Sequence, residues 1–422
     1  MDGLNENTAP VVQKKDGKLF FAGILLGAMV MAMVLLIVVI AITRKYQAER
    51  SRYSGEEEVN VSEGSAVIDE DLVKKIDQIQ SLIDEKSIFE PDLEEQKKGI
   101  INGYLGASSD KYAKYYSPEE INDQMTSYSG RFYGIGVLMG FNEYEQVLIH
   151  KVYDNSPASR AGFHAGDIIT EVEGEEVEGW SLDEVVKHVR GERGTRVKIT
   201  VWREDIADYL ELVPIRDEIE EVIIEYEMEE DGIGMIYIQE WYDTTSKQFK
   251  DAYDALVAEG MNKGLIIDLR SNTGGLVSAA IETLDVCLPA GPALYIQNNK
   301  GERDSYNTYD ADEITLPIVI MTNGYTASAS EIFTGAMKDY GKAVTLGTKT
   351  YGKGVMQSFY YLFDDSAIKL TTEEFYSPKG SKINEVGFDA DIEVEFDSSA
   401  YYDEENPVDN QLQAAIEYIR GL

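Results

Sequence analysis

An α/β core, preceded by a smaller β-rich domain and a helical region, is the fold class the sequence predicts, and three observations predict it. From residue 232 onward, strand-like runs alternate with helix-like ones: GIGMIYIQ, TSKQFKDAYDALVAEG, GLIIDLR and, after a further helix, LPIVIMTNG and TASASEIFTGAMKDYG. Such alternation is the signature of a sheet covered by helices. Between 131 and 205 the runs are shorter, as in GIGVLMGF, QVLIHKVY and TRVKITVWR, and the last alternates apolar with polar positions as a strand does. Ahead of both, VIDEDLVKKIDQIQSLIDEK places its apolar residues at helical spacing.

Composition narrows the function. The 422 residues suffice for two or three domains with cores of their own. With 77 acidic against 38 basic residues the net charge is −39, which argues against nucleic acid as a partner and weakens any case for an anionic membrane surface. The single cysteine, Cys287 in LDVCLPA, permits no intrachain disulfide and reads as core packing.

Residues 19–43, LFFAGILLGAMVMAMVLLIVVIAIT, carry no charge. As a helix they would span roughly 37 Å, more than the ~30 Å of a bilayer core and longer than a cleavable signal requires. They are expected to form an uncleaved transmembrane signal anchor behind a short tail, 1–18. Lys14, Lys15 and Lys18 precede it and Arg44, Lys45, Arg50 and Arg52 follow, so charge alone leaves its orientation open. Residues 44–67 read as a polar linker. Residues 68–130 form the helical N-terminal region, an amphipathic packing or dimerisation arm, and 206–231 a charged, strand-like connector. The core and its cap occupy 206–400, and 401–422 holds a C-terminal helix.

The stretch 131–205 resembles a PDZ domain. The GIGV loop (134–137), SPASRAGFHAGD (156–167) and the closing helix–strand pair carry the resemblance. A PDZ domain binds an extended peptide as an added strand and seats its free carboxylate on loop amides. Here those would be the amides of Ile135, Gly136 and Val137, beside the helical face of Leu182, Val185, Val186 and Val189. The bland alternative is that the glycines only shape a hairpin.

Chemistry concentrates in NGYTASASEIF (323–333), where Thr326, Ser328 and Ser330 stand between an apolar strand and an apolar helix. Ser328 and Glu331 fit a capping box. A serine there also meets unpaired helix N–H groups, which would stabilise an oxyanion. The turn SNTGG (271–275) ends another buried strand, where α/β folds place their sites, and the amide of Gly274 or Gly275 could join that of Ala329. His150, His164 and His188 all lie in the 131–205 stretch, so a histidine base is not expected; no metal-ligand spacing occurs and no cofactor is implied. TKTYGKGVMQ offers Lys349 and Lys353 instead. A lysine base must be neutral, so burial or a cationic neighbour has to lower its pKa from ~10.4. Gln357 follows Lys353 by four residues and is placed to orient it.

DLRSNTGGL, TNGYTASASEIFTGAMKDYG and TKTYGKGVMQ, in this order behind a PDZ-like domain, resemble the C-terminal processing (tail-specific) serine proteases from about residue 68 to the C-terminus. The resemblance implies a crotonase-like α/β core with a small β cap, Ser328 as nucleophile, Lys353 as general base and Gln357 as its partner. It leaves Lys349 outside the site. It further implies a PDZ domain that engages free apolar C-termini, homodimers formed through the helical ends 68–130 and 409–422, and an N-terminus-in anchor with the catalytic part outside the cytoplasm. Thr326 stands where the family usually has serine, Thr273 where it has proline, and GFDAD (387–391) lacks another proline. Two other readings compete: a catalytically dead homologue that tethers protein tails through its PDZ domain, and a crotonase-like enzyme acting on an acyl thioester.

Overall fold

The computed structural model describes residues 67–309, 313–403 and 406–422. The expected anchor at 19–43 and all of the linker but its last residue lie outside them. Among the described residues no helix is long and apolar enough to cross a membrane. Those up to Gln96, with Ser358–Tyr361, form one compact unit, and Lys97–Gln357 with Leu362–Leu422 form a second. In the first, the helix Glu70–Lys86 is capped by Asp69, which accepts from the Leu72 amide at 2.8 Å, and buries no residue.

In the second unit a six-stranded sheet runs in the order Ile224–Met228, Ile233–Ile238, Gly264–Asp268, Ile318–Thr322, Ala343–Gly347 and Ile392–Glu393. Its first pair is antiparallel and the rest are parallel. Every residue of Gly264–Asp268 and Ile318–Thr322 is buried, as expected of parallel strands covered on both faces. The helix Thr245–Glu259 packs on the strand Ile233–Ile238 and on Val277–Cys287, which packs on Ala329–Asp339. Burial pushes the Cys287 thiol far up, so the lone cysteine is a core residue.

The C-terminal helix Asn410–Arg420 sets Ala415 and Ile419 against Ile266, Val319, Met321 and Leu346 of the sheet. The helix thus uses this face within its own chain. Its N-cap, Asp409, is held by Arg270, whose guanidinium lies 2.7 Å from Asp409 and 2.6 Å from Asp268.

Residues 137–212 form an antiparallel sheet ordered Val137–Phe141, Val147–Val152, Ile168–Val172, Ile199–Arg203 and Asp208–Leu212. This is the PDZ-like region, and its last strand, Asp208–Leu212, lies beyond the expected boundary at 205. The helices Pro157–Ala161 and Leu182–Val189 are capped by Ser156 and Ser181. Arg131–Gly134 and Asp217–Glu220 pair with each other where the chain enters and leaves this region, so the 206–231 connector is resolved into strands of three different sheets. A further antiparallel sheet includes Lys114–Tyr116, Ala367–Tyr376, Gly291–Asn298 and Arg303–Thr308 in that order. Lys114–Tyr116 is a strand inside a region expected to be helical. Three residues are too few to show a period, and the tyrosines favour a strand.

Replacing Arg270 by Met would leave two mostly buried carboxylates facing each other. Chemical denaturation of this variant is expected to show a loss of about 3 kcal/mol. Unchanged stability would mean that the bridge does not hold the C-terminal helix.

Candidate active site

Neighbouring parallel strands Gly264–Asp268, Ile318–Thr322 and Ala343–Gly347 deliver three loops at their carboxyl ends. The loops carry Asn272–Gly275, Thr326–Ser328 and Thr350–Lys353, so sequence segments about 80 residues apart meet at the position where open α/β sheets place their sites.

Their hydrogen bonds separate the three hydroxyls of the TASAS run. Thr326 donates to the Leu269 carbonyl (2.8 Å) and accepts from the Asn323 amide (3.0 Å). Ser330 accepts from the Trp241 indole (2.8 Å) and donates to the Asn272 carbonyl (3.3 Å). Both are fully buried and serve the scaffold. Ser328 and Glu331 stand as a capping box, but the short bond from the Glu331 amide runs to the Ser328 carbonyl, at 2.8 Å. Its backbone is at φ 57°, ψ −116°, a conformation costly for any residue with a Cβ. A serine on such a strand-to-helix turn presents its hydroxyl away from the helix it opens.

Gly274 lies directly beneath it, where an added Cβ would come 2.7 Å from Ser328 Cβ. The Gly274 amide donates to the Asn272 side chain (2.9 Å), whose own amide donates to the Ile238 carbonyl (2.9 Å). Gly274 therefore shapes the floor of the site with its N–H already committed, unlike the donor role expected for it. Gly275 cannot be replaced either, since a Cβ would meet the Trp241 carbonyl at 2.3 Å.

Glu331, read from the sequence as half of a capping box, joins two loops. One carboxylate oxygen accepts from the amides of Ser328 (3.0 Å) and Lys353 (2.8 Å). The other accepts from the Gly352 amide (2.7 Å) and the Thr350 hydroxyl (2.6 Å). The glycines around Lys353 have their own cause: a Cβ on Gly354 would strike the Asn384 amide at 2.1 Å, and one on Gly352 would crowd Gly387 and Val386 at 3.1 Å.

Of the two candidate lysines, Lys349 is half exposed and pairs with Asp389 at 3.0 Å. Lys353 is mostly buried and rests Nζ over the Tyr112 ring, 4.8 Å from its centroid. Burial lowers its pKa below the ordinary 10.5, Lys369 and Lys111 lower it further, and Glu331 opposes them. Gln357 donates to the Val355 carbonyl (3.4 Å) and the Thr371 hydroxyl (3.3 Å), and not to Lys353 as the sequence suggested. These bonds are at the long, weak end of the range.

In the PDZ-like sheet, Ile135, Val185 and Val189 are core residues by side chain. This corrects the assignment of Val185 and Val189 to a peptide-contacting face, since the two, four apart, share the inward side of the helix; the amide expected of Ile135 belongs to its backbone and is not affected. Leu182 and Val186 are only partly buried, and Val137 borders the same core. Gly136, at φ 78°, is required by the close approach of Ser156, whose Cβ would lie 2.5 Å from an added Cβ. All three histidines are exposed.

Fold and site together define an α/β domain that carries a strained serine at the carboxyl ends of its parallel strands, its backbone amide sharing one Glu331 oxygen with that of Lys353. Residues 232–394 match the family model described as Peptidase family S41, and residues 148–203 match that of a PDZ domain. The chain belongs to peptidase family S41. It is 32% identical over 330 residues to a "Probable CtpA-like serine protease" of Staphylococcus aureus (strain COL), covering 78% of this chain and 66% of that one. A protein of the same name from Staphylococcus saprophyticus is 32% identical over 329 residues, covering 77% of this chain and 66% of the relative. The chain thus spans just under two thirds of the length of these relatives. Among solved structures it resembles "photosystem II D1 C-terminal processing protease", with TM-score 0.44 and 24% identity over 76% of this chain and 86% of that one.

Two expectations follow for the turn. Glu331→Gln keeps the shape but sets an amide donor against backbone donors, and is expected to cost about 2–3 kcal/mol in denaturant unfolding. A loss below 0.5 kcal/mol, as ~0.5 is the scale of ordinary surface changes, would show that the two loops do not depend on it. Ser328→Gly relieves the positive φ and should raise stability by about 1 kcal/mol; a drop would mean that the turn carries no strain.

Proposed function

We propose that the chain is a serine endopeptidase in which Ser328 is the nucleophile and Lys353 the general base. The observation that carries this reading is the difference among neighbouring hydroxyls: Thr326 and Ser330 are spent inside the scaffold, whereas Ser328 is uncommitted and shares the Glu331 clamp with Lys353.

In the proposed reaction Ser328 Oγ bonds to the scissile carbonyl carbon while neutral Lys353 Nζ takes its proton. The carbonyl oxygen becomes an oxyanion, held by the amides of Ala329 at the helix start and Gly275 in the turn. The C–N bond then breaks, the leaving amine takes the proton from Lys353, and an acyl ester remains on Ser328. Water attacks that ester with Lys353 again accepting a proton, and the carboxyl product departs as Ser328 is reprotonated. Gln357, weakly held in the resting site, would turn to orient Lys353 once peptide is bound.

The same reading assigns the PDZ domain to free apolar C-termini, seated on the amides around Gly136 beside Leu182 and Val186. The core would be crotonase-like. Residues 19–43 would anchor the chain with its N-terminus in the cytoplasm and its catalytic part outside, and homodimers would form through the helical ends 68–130 and 409–422.

The test compares wild type, Ser328→Ala and Lys353→Ala on casein, with and without a peptide ending in an apolar free carboxylate. Cleavage by wild type alone is expected, with at least a 100-fold loss in each variant, since general acid–base and nucleophilic groups each contribute ~10²-fold or more. Equal cleavage by all three would sink the assignment; peptide binding without cleavage would favour a tethering protein. Because the neutral amine is the active form, kcat/KM should rise with pH through the Lys353 pKa, and this acid limb should lie below 10.5.

A further inference from the structure

Lys353 does not stand alone. Lys111 Nζ lies over the same Tyr112 ring, 4.9 Å from its centroid, against 4.8 Å for Lys353, so the two nitrogens are no more than about 10 Å apart. On the ring of Tyr116 sit Lys114 Nζ (4.6 Å) and Lys369 Nζ (5.6 Å). Lys114 and Lys369 are also direct partners across the antiparallel pair Lys114–Tyr116 and Ala367–Tyr376. Like charges placed opposite one another weaken such a pair. In a chain with 77 acidic and 38 basic residues, four lysines gathered on two rings run against both composition and pairing energetics.

The cluster is held in place. Both oxygens of Asp110 grip Thr371, one taking its amide (2.7 Å) and the other its hydroxyl (2.9 Å). Thr371 is two residues from Lys369 on one strand, so their side chains share a face. The Thr371 hydroxyl also accepts from Gln357. The segment 110–116 is thereby locked to the strand that carries Lys369.

We infer that Lys111 and Lys369 are positioning residues that act on Lys353 through charge, with Tyr112 and Tyr116 fixing them where their repulsion drives the proton off the base. The inference rests on Lys353 being the base. A ring face stabilises one ammonium, but it cannot host two without repulsion. Lys111 is exposed, and Tyr112 beside it raises its hold on a proton; the mostly buried Lys353 is the one that yields. Glu331 is the acidic group that opposes the effect, and its oxygens are occupied by four donors. Tyr351 and Glu385 also favour the charged form of Lys111.

The test is the pH dependence of kcat/KM for wild type, Lys111→Met, Lys369→Met and Lys369→Arg, each first checked for a cooperative thermal transition. Removing one positive charge is expected to move the acid limb up by about one pH unit, a roughly tenfold loss on that limb. Lys369→Arg should restore the wild-type limb, because it keeps the charge and changes the shape. Lys111 is exposed, so its variant keeps the test available should Lys369→Met fail to fold. Uniform loss at every pH with the limb unmoved in both Met variants overturns the inference and leaves the base assignment standing. Undiminished cleavage by Lys353→Ala removes the base, and the inference with it.

Discussion

The carboxylate of Glu331 is the point on which the site depends. It is fully buried and accepts from four donors: the amides of Ser328, Gly352 and Lys353 and the hydroxyl of Thr350. A buried carboxylate so placed is satisfied only while both loops hold their positions. The strained turn at Ser328 persists because its amide is tied to the same group that ties the lysine loop. Ser328 and Lys353 are thus set against each other through their backbones.

Close backbone contact supports this arrangement from below. Gly274 lets the turn after Gly264–Asp268 lie against Ser328, and Gly354 lets the lysine loop lie against Asn384. Asn272 closes the remaining gap by joining the strand Ile233–Ile238 to the Gly274 amide. The Thr273 and GFDAD positions, without proline, sit among these bonds: the Phe388 amide donates to the Thr350 hydroxyl at 2.8 Å. Hydrogen bonding supplies there the rigidity that a fixed φ would otherwise provide.

The PDZ-like region runs into the core sheet with only three residues between strands. Its sheet is bracketed by the strand pair Arg131–Gly134 and Asp217–Glu220, and the chain leaves that pair directly into the edge strand Ile224–Met228 of the core sheet. On the other side of the site, the 110–116 segment brings Tyr112 and Lys111 to Lys353. The N-terminal helical region therefore contributes to the site as well as to packing.

The sequence by itself determined the α/β class, the order of the elements and a short list of candidate side chains. Alternation of strand and helix is a local property, visible in GLIIDLR and LPIVIMTNG without any knowledge of partners, and Ser328 and Lys353 stood out by residue type and setting. Local patterns do not state which groups are already bonded. That Thr326, Ser330 and the Gly274 amide are spent inside the scaffold, that Val185 and Val189 face inward, and that Gln357 bonds Thr371 were decided by tertiary packing. So was the pairing of Lys114 with Lys369, 255 positions apart in the chain. Glu331 was legible as a cap, since a cap needs only its own helix; its larger role required the next loop to fold over it. Charge clusters and clamps of this kind arise where distant segments share one small, poorly solvated space, and spacing along the chain carries no record of that space.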